Sequence, residues 1–125
     1  MIRNFILIGA GSSIGGICRY LTQQFVQKNY PSSIPLGTLS VNIIGCFIIG
    51  LIYALSDRGN ILSPTMRLLL ATGFCGGYTT FSSFAYENIK LLQDGEFFYT
   101  GLYILLSVVV GFAAVYLGIL FIKSI

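Results

Sequence analysis

Gly73-Phe74-Cys75-Gly76-Gly77-Tyr78-Thr79-Thr80-Phe81-Ser82-Ser83-Phe84 stands inside an otherwise apolar run, and its reading decides the fold. Three glycines within five residues weaken a helix at that point. The hydroxyls that follow can take up the backbone groups that a broken helix frees. The surrounding run, about 66–93, is long enough to cross a bilayer. A break at membrane depth is tolerated only where it is buried in protein or lines a cavity. The expectation is therefore a third transmembrane helix broken mid-membrane. Its exposed carbonyls suit a small cation such as Na⁺, and its amides suit an anion.

The rest of the chain has the composition of a lipid-embedded protein. Of 125 residues, 55% are hydrophobic and 9% charged, with a mean hydropathy of +0.85. A soluble domain carries about 25% charged residues, so this chain has too few to cover a surface facing water. The stretch 36–56 contains no charge. As a helix it is about 31 Å long, roughly one hydrocarbon core. Two further apolar runs, at about 4–26 and 98–122, complete four transmembrane helices in a single domain, 1–125. Short polar connections around Lys28–Pro35, Asp57–Asn60 and Gln93–Glu96 imply antiparallel neighbours. The fold class expected is an all-α integral membrane protein. No sizeable soluble catalytic domain is expected beside the spans.

The charges report topology rather than nucleic-acid binding. Net charge is +3. With four crossings, Arg3, Arg58, Arg67 and Lys123 share one side, against Lys28 and Lys90 on the other, joined by Arg19 if it snorkels outward. That bias is weak for the positive-inside rule, so an antiparallel, dual-topology dimer is a reasonable expectation. Histidine is absent, which removes the commonest general base and metal ligand. Cys18, Cys46 and Cys75 lie far apart in apolar stretches and read as small packing residues. Gly9-x-Gly11 starts like a nucleotide fingerprint, but Ile14 stands where the third glycine should be and no strand precedes it. Arg3 before an apolar run mimics a signal peptide, but no small-residue cleavage site follows.

Polar residues within the spans carry the functional reading. Phe81 and Phe84 share a helix face among hydroxyls, and an aromatic ring edge can face an anion. Thr80, Ser83 and Glu87 form a stripe that ends in a carboxylate. Asn42 must find partners in the second span, either an interhelical hydrogen bond or a passing ion. Tyr99, Tyr103, Ser107 and Gly111 recur every four residues in the fourth span. Arg19 either snorkels or supplies positive potential at a vestibule, and Glu87 either pairs with Lys90 or sits at a pore mouth. Gly11-x-x-x-Gly15 has the spacing of close helix packing. Amides, hydroxyls and aromatic edges hold ions without changing charge, which suits passive conduction of an anion better than proton exchange.

These residues resemble the CrcB/Fluc family of bacterial fluoride channels. The resemblance rests on Gly15-Gly16-Ile17-Cys18-Arg19-Tyr20, on Pro35-Leu36-Gly37-Thr38-Leu39-Ser40-Val41-Asn42-Ile43-Ile44-Gly45, and on Gly73 through Phe84 with Glu87. It implies an antiparallel dual-topology homodimer in the inner membrane that passes F⁻ and rejects Cl⁻. It implies a pathway of Asn42, Thr80, Phe81, Ser83, Phe84, Tyr103 and Ser107, with Arg19 and Glu87 at the vestibule. It also implies a structural Na⁺ at the dimer centre, held by the backbone carbonyls of Gly76 and Thr79 from both subunits. Ser83 stands where threonine is common, and the fourth-helix polar track runs into Gly111 and Val115.

The function expected is passive, fluoride-selective export that lowers cytoplasmic fluoride, with F⁻, Na⁺, lipid and a second copy as partners and no nucleic acid. The alternative is a small dual-topology, proton-coupled multidrug exporter, which needs a carboxylate deep in a helix. A third class, a membrane scaffold without transport, is consistent with the glycine motifs. An enzyme fits least, without histidine, metal-ligand spacing or paired carboxylates.

Overall fold

The apolar runs fold as helices somewhat longer than the runs themselves. The structure, a computed structural model, describes residues 1–59 and 61–125. Asn60, which the sequence puts in the second connection, lies outside the described residues. Helix α1 spans Ile2–Asn29 and α2 spans Leu36–Asp57. Hydropathy marks the hydrocarbon thickness, whereas the backbone ladder continues into the interface. That is why α1 runs past Val26 to Asn29, whose side-chain amide donates to the Phe25 carbonyl at 2.8 Å. Pro35 then sets the start of α2.

The third span is built in pieces. Ser63 caps α3 (Pro64–Arg67) by accepting from the Met66 N–H at 3.2 Å, with Pro64 in the first turn. Leu68–Cys75 is wound as a π-helix, a rare geometry that clusters at functional sites. One more turn, α4 (Gly76–Tyr78), follows. Thr79 (φ −89°, ψ 160°) and Thr80 (φ −151°, ψ 114°) are extended, and helix α5 starts afresh at Phe81–Gln93. The break thus falls inside the expected segment, and the π-helical winding before it is new. A turn at Gly95, with φ 78°, leads to α6, Phe97–Lys123. Helices α1, α2 and α6 are each long and apolar enough to cross a membrane. The chain is all-helical among the described residues.

The closest packing joins alternate spans, which run parallel, and not the consecutive ones. A Cβ added at Gly15 in α1 would strike the Phe74 carbonyl, and one at Gly77 would strike the Ser12 carbonyl. Gly11 and Gly73 face each other across the same crossing, with a Cβ on Gly73 3.0 Å from the Gly11 Cα. The small-residue spacing of α1 therefore meets an equal spacing, Gly73 and Gly77, in the third span. Helices α2 and α6 approach as closely, where a Cβ at Gly50 would strike the Val115 carbonyl and one at Gly118 the Phe47 carbonyl. The consecutive pair α1 and α2 meets near its connection, at Gly37 and Gln23. Outward faces are apolar, with Phe25, Ile17, Leu105 and Leu117 all exposed, as lipid-facing surfaces require.

Candidate functional site

At the break, one side chain replaces the missing helical bonds. In a continuous helix the Thr80 N–H would donate to the Gly76 carbonyl. Here it donates to Asn42 Oδ1 at 2.8 Å, and Asn42 Nδ2 donates back to the Thr80 carbonyl at 3.1 Å. Asn42 of α2 thus clamps both backbone groups of an extended residue that is 9% exposed. Of the two sequence readings of Asn42, the interhelical hydrogen bond is present. Nδ2 carries two hydrogens, so a second donor remains on a residue that lines a cavity. The clamp deprives the Gly76 carbonyl of its helical partner. Thr79 likewise turns its hydroxyl back to the Cys75 carbonyl at 2.9 Å.

Both flanks of the break are capped. Thr80 caps α5 by accepting from the Ser83 N–H at 3.2 Å, and its hydroxyl donates to Ser83 Oγ at 3.1 Å. On the other flank Arg19 Nε donates to the Gly77 carbonyl at 3.0 Å. A cation at a helix C-terminus complements the dipole of α4 and its preceding turns. Arg19 therefore neither dangles nor merely snorkels, because it holds the broken end from the neighbouring α1. The Thr22 hydroxyl meets the Tyr78 hydroxyl at 3.1 Å one turn further on.

Beside the break lies a cavity of about 470 Å³. It is lined by Asn42, Thr80, Phe81, Phe84 and Ser107 together with Gly76 and Thr79. The Phe81 and Phe84 rings lie 5.8 Å apart and tilted by 47°, on one face of α5 as their spacing predicts. Phe81 is 79% exposed and Phe112 of α6, which also lines the cavity, 75%, so the cavity opens at the surface of the chain. The Ser107 hydroxyl is buried and has no hydrogen-bond partner.

Behind the phenylalanines sits a buried polar chain. Tyr103 donates its hydroxyl to one Glu87 carboxylate oxygen at 2.9 Å, and Thr38 donates to the other at 2.7 Å. Gln23 donates to Thr38 Oγ1 at 3.2 Å. Thr38 and Tyr103 are both fully buried. Helices α2, α5 and α6 thus meet at one carboxylate, and α1 joins the chain through Gln23 and Thr38. The Tyr103 ring also packs edge-on against Phe84, with centroids 5.0 Å apart at 65°.

A profile of the family described as CrcB-like protein, Camphor Resistance (CrcB), matches residues 6–119. The chain belongs to this family. It is 50% identical to the fluoride-specific ion channel FluC of Chlorobium phaeobacteroides (strain BS1) over 113 residues, 90% of this chain and 88% of that one. Over 118 residues it is 47% identical to the FluC of Gloeothece citriformis, covering 94% and 95% of the two chains. With the FluC of Leptospira interrogans it shares 43% identity across 98% and 96% of the chains.

Seven residues singled out from the sequence therefore line one cavity: Asn42, Gly76, Thr79, Thr80, Phe81, Phe84 and Ser107. Ser83 lies directly behind Thr80, while Tyr103 and Glu87 belong to the buried polar chain and Arg19 to the helix end. The sequence reading missed Gln23 and the convergence on Glu87, whose partners lie 15 or more residues apart along the chain. The one signal in the sequence was the presence of unpaired polar residues, Gln23, Thr38, Glu87 and Tyr103, in four different spans.

Proposed function

We propose that the chain is a passive, fluoride-selective channel of the bacterial inner membrane, and not an enzyme. The observation that supports it most is the cavity at the helix break. Its lining offers a spare amide N–H of Asn42 beside the hydroxyl residues Thr79, Thr80 and Ser107 and the rings of Phe81 and Phe84, with no charged side chain among them. These are donors without a fixed charge. A small anion loses strong hydration on entry and needs donors in return, but a fixed positive charge in a narrow passage would hold it too tightly to release it. The relatives named as fluoride-specific channels support the choice of ion.

The working unit is an antiparallel, dual-topology homodimer. A cavity that opens at an exposed apolar face gains its second wall when a second copy covers it. Arg19 and Glu87 belong to the vestibule in this reading, with the Glu87 carboxylate held back from the anion by two hydroxyls. The backbone carbonyls of Gly76 and Thr79 would hold a structural Na⁺. Carbonyl oxygens are hard ligands, so the cation they suit is a hard, oxygen-seeking one. The released Gly76 carbonyl is the observation that fits Na⁺ there. Such an ion would bind the broken spans together at their weakest point.

The proton-coupled exporter reading is tested on Glu87. Liposomes holding Glu87→Gln should still release F⁻ without any imposed proton gradient, at a rate reduced by less than about tenfold. If release needs a proton gradient and the substitution abolishes it, the chain is an exporter.

A further inference from the structure

We infer that the cleft between the C-terminal ends of α2 and α6 binds the phosphate of an anionic phospholipid. The cleft measures about 470 Å³ and lies away from the cavity at the break. Arg58 and Lys123 line it against a single carboxylate, Asp57, so its lining is positive by one charge. Arg58 Nη1 donates to the Ile122 carbonyl at 2.7 Å, which fixes the guanidinium across the end of α6. A guanidinium has five N–H donors, so several remain for phosphate oxygens. Arg58, the C-cap residue of α2 bonded to Ile122, and Lys123 in the last turn of α6 sit against the negative ends of both helix dipoles, which would otherwise repel an anion.

Position and chemistry together favour a lipid over a free ion. Asp57 ends one membrane-spanning helix and Lys123 another, so the cleft lies at headgroup level. Ala54 and Ile119 line it on the side of the membrane core, where an acyl chain begins. Tyr53, 46% exposed, adds an amphipathic ring at the same depth. Basic pockets between spans at this level recognise lipid headgroups, and each Lys or Arg contributes about fivefold in affinity.

The test uses the purified full chain in neutral detergent, with retained lipid read by native mass spectrometry and thermal stability read in parallel. Phosphatidylglycerol is titrated against phosphatidylcholine of the same chains and against inorganic phosphate. Phosphatidylglycerol should bind about tenfold tighter than phosphatidylcholine. Lys123→Gln, which leaves the Arg58–Ile122 bond in place, should weaken it about fivefold. Asp57→Asn should tighten it, an outcome that misfolding cannot imitate. Equal binding of the two lipids overturns the inference, as does full binding by Lys123→Gln. Stabilisation by inorganic phosphate equal to that by phosphatidylglycerol also overturns it, because the site would then be one for free anions.

Discussion

Asn42 is the residue on which the break depends. Replacing it by Ala leaves the Thr80 N–H and C=O without partners on a residue that is mostly buried. Each unsatisfied group costs about 1–3 kcal/mol, so Asn42→Ala should melt well below the parent in detergent and lose most of its flux. Tyr103→Phe keeps the ring against Phe84 but removes a donor from a carboxylate. A loss of about 1.5–3 kcal/mol is expected, measurable as a lower unfolding midpoint. Ser107→Ala should behave in the opposite sense. Its hydroxyl has no partner to lose, so stability should stay equal or rise slightly while fluoride flux falls. A Ser107→Ala protein that is both destabilised and fully conducting would remove Ser107 from the pathway. Residue types were legible in the sequence, since an asparagine or a serine in an apolar span announces itself. Their partners were not. Asn42 meets Thr80 across 38 positions and Arg19 meets Gly77 across 58, and neither spacing follows from a helical period.

The helices were legible as spans because lipid leaves hydropathy as the dominant signal. The glycine-rich segment of the third span gave the break within a few residues. Its π-helical winding could not be read, because nothing in the sequence Leu68–Cys75 by itself favours that geometry. Antiparallel order was also read correctly from the short connections, but not that the tightest contacts would join alternate, parallel spans. That contact hangs on individual glycines. Gly15→Ala places a methyl against the Phe74 carbonyl, whereas nothing lies within 4 Å of a Cβ at Gly9. Overpacking of a tight crossing costs about 1–3 kcal/mol, so Gly15→Ala should lower the melting temperature clearly. Gly9→Ala should stay within about 0.5 kcal/mol of the parent. Equal effects from the two would mean that α1 does not pack on the third span as described.

For the whole molecule, the proposal of a second copy in the opposite orientation rests on the exposed apolar face at the cavity and on the weak charge bias. With Cys18, Cys46 and Cys75 replaced by serine, one single cysteine in the Lys28–Pro35 connection and another in the Asp57–Ser63 connection should crosslink between subunits when co-expressed. Links confined to same-connection pairs would contradict the antiparallel dimer. Fluoride itself could not be read from the chain's physics, since hydroxyls and amides serve several anions alike, and the family relationship supplies it. The central claim is that the cavity at the break carries fluoride passively and selectively. It is tested most directly by efflux from liposomes holding the purified protein, followed with a fluoride electrode beside a chloride control. Rapid F⁻ release with negligible Cl⁻ release is the predicted result; no F⁻ release from a demonstrably folded dimer, or Cl⁻ release at a comparable rate, would contradict the account.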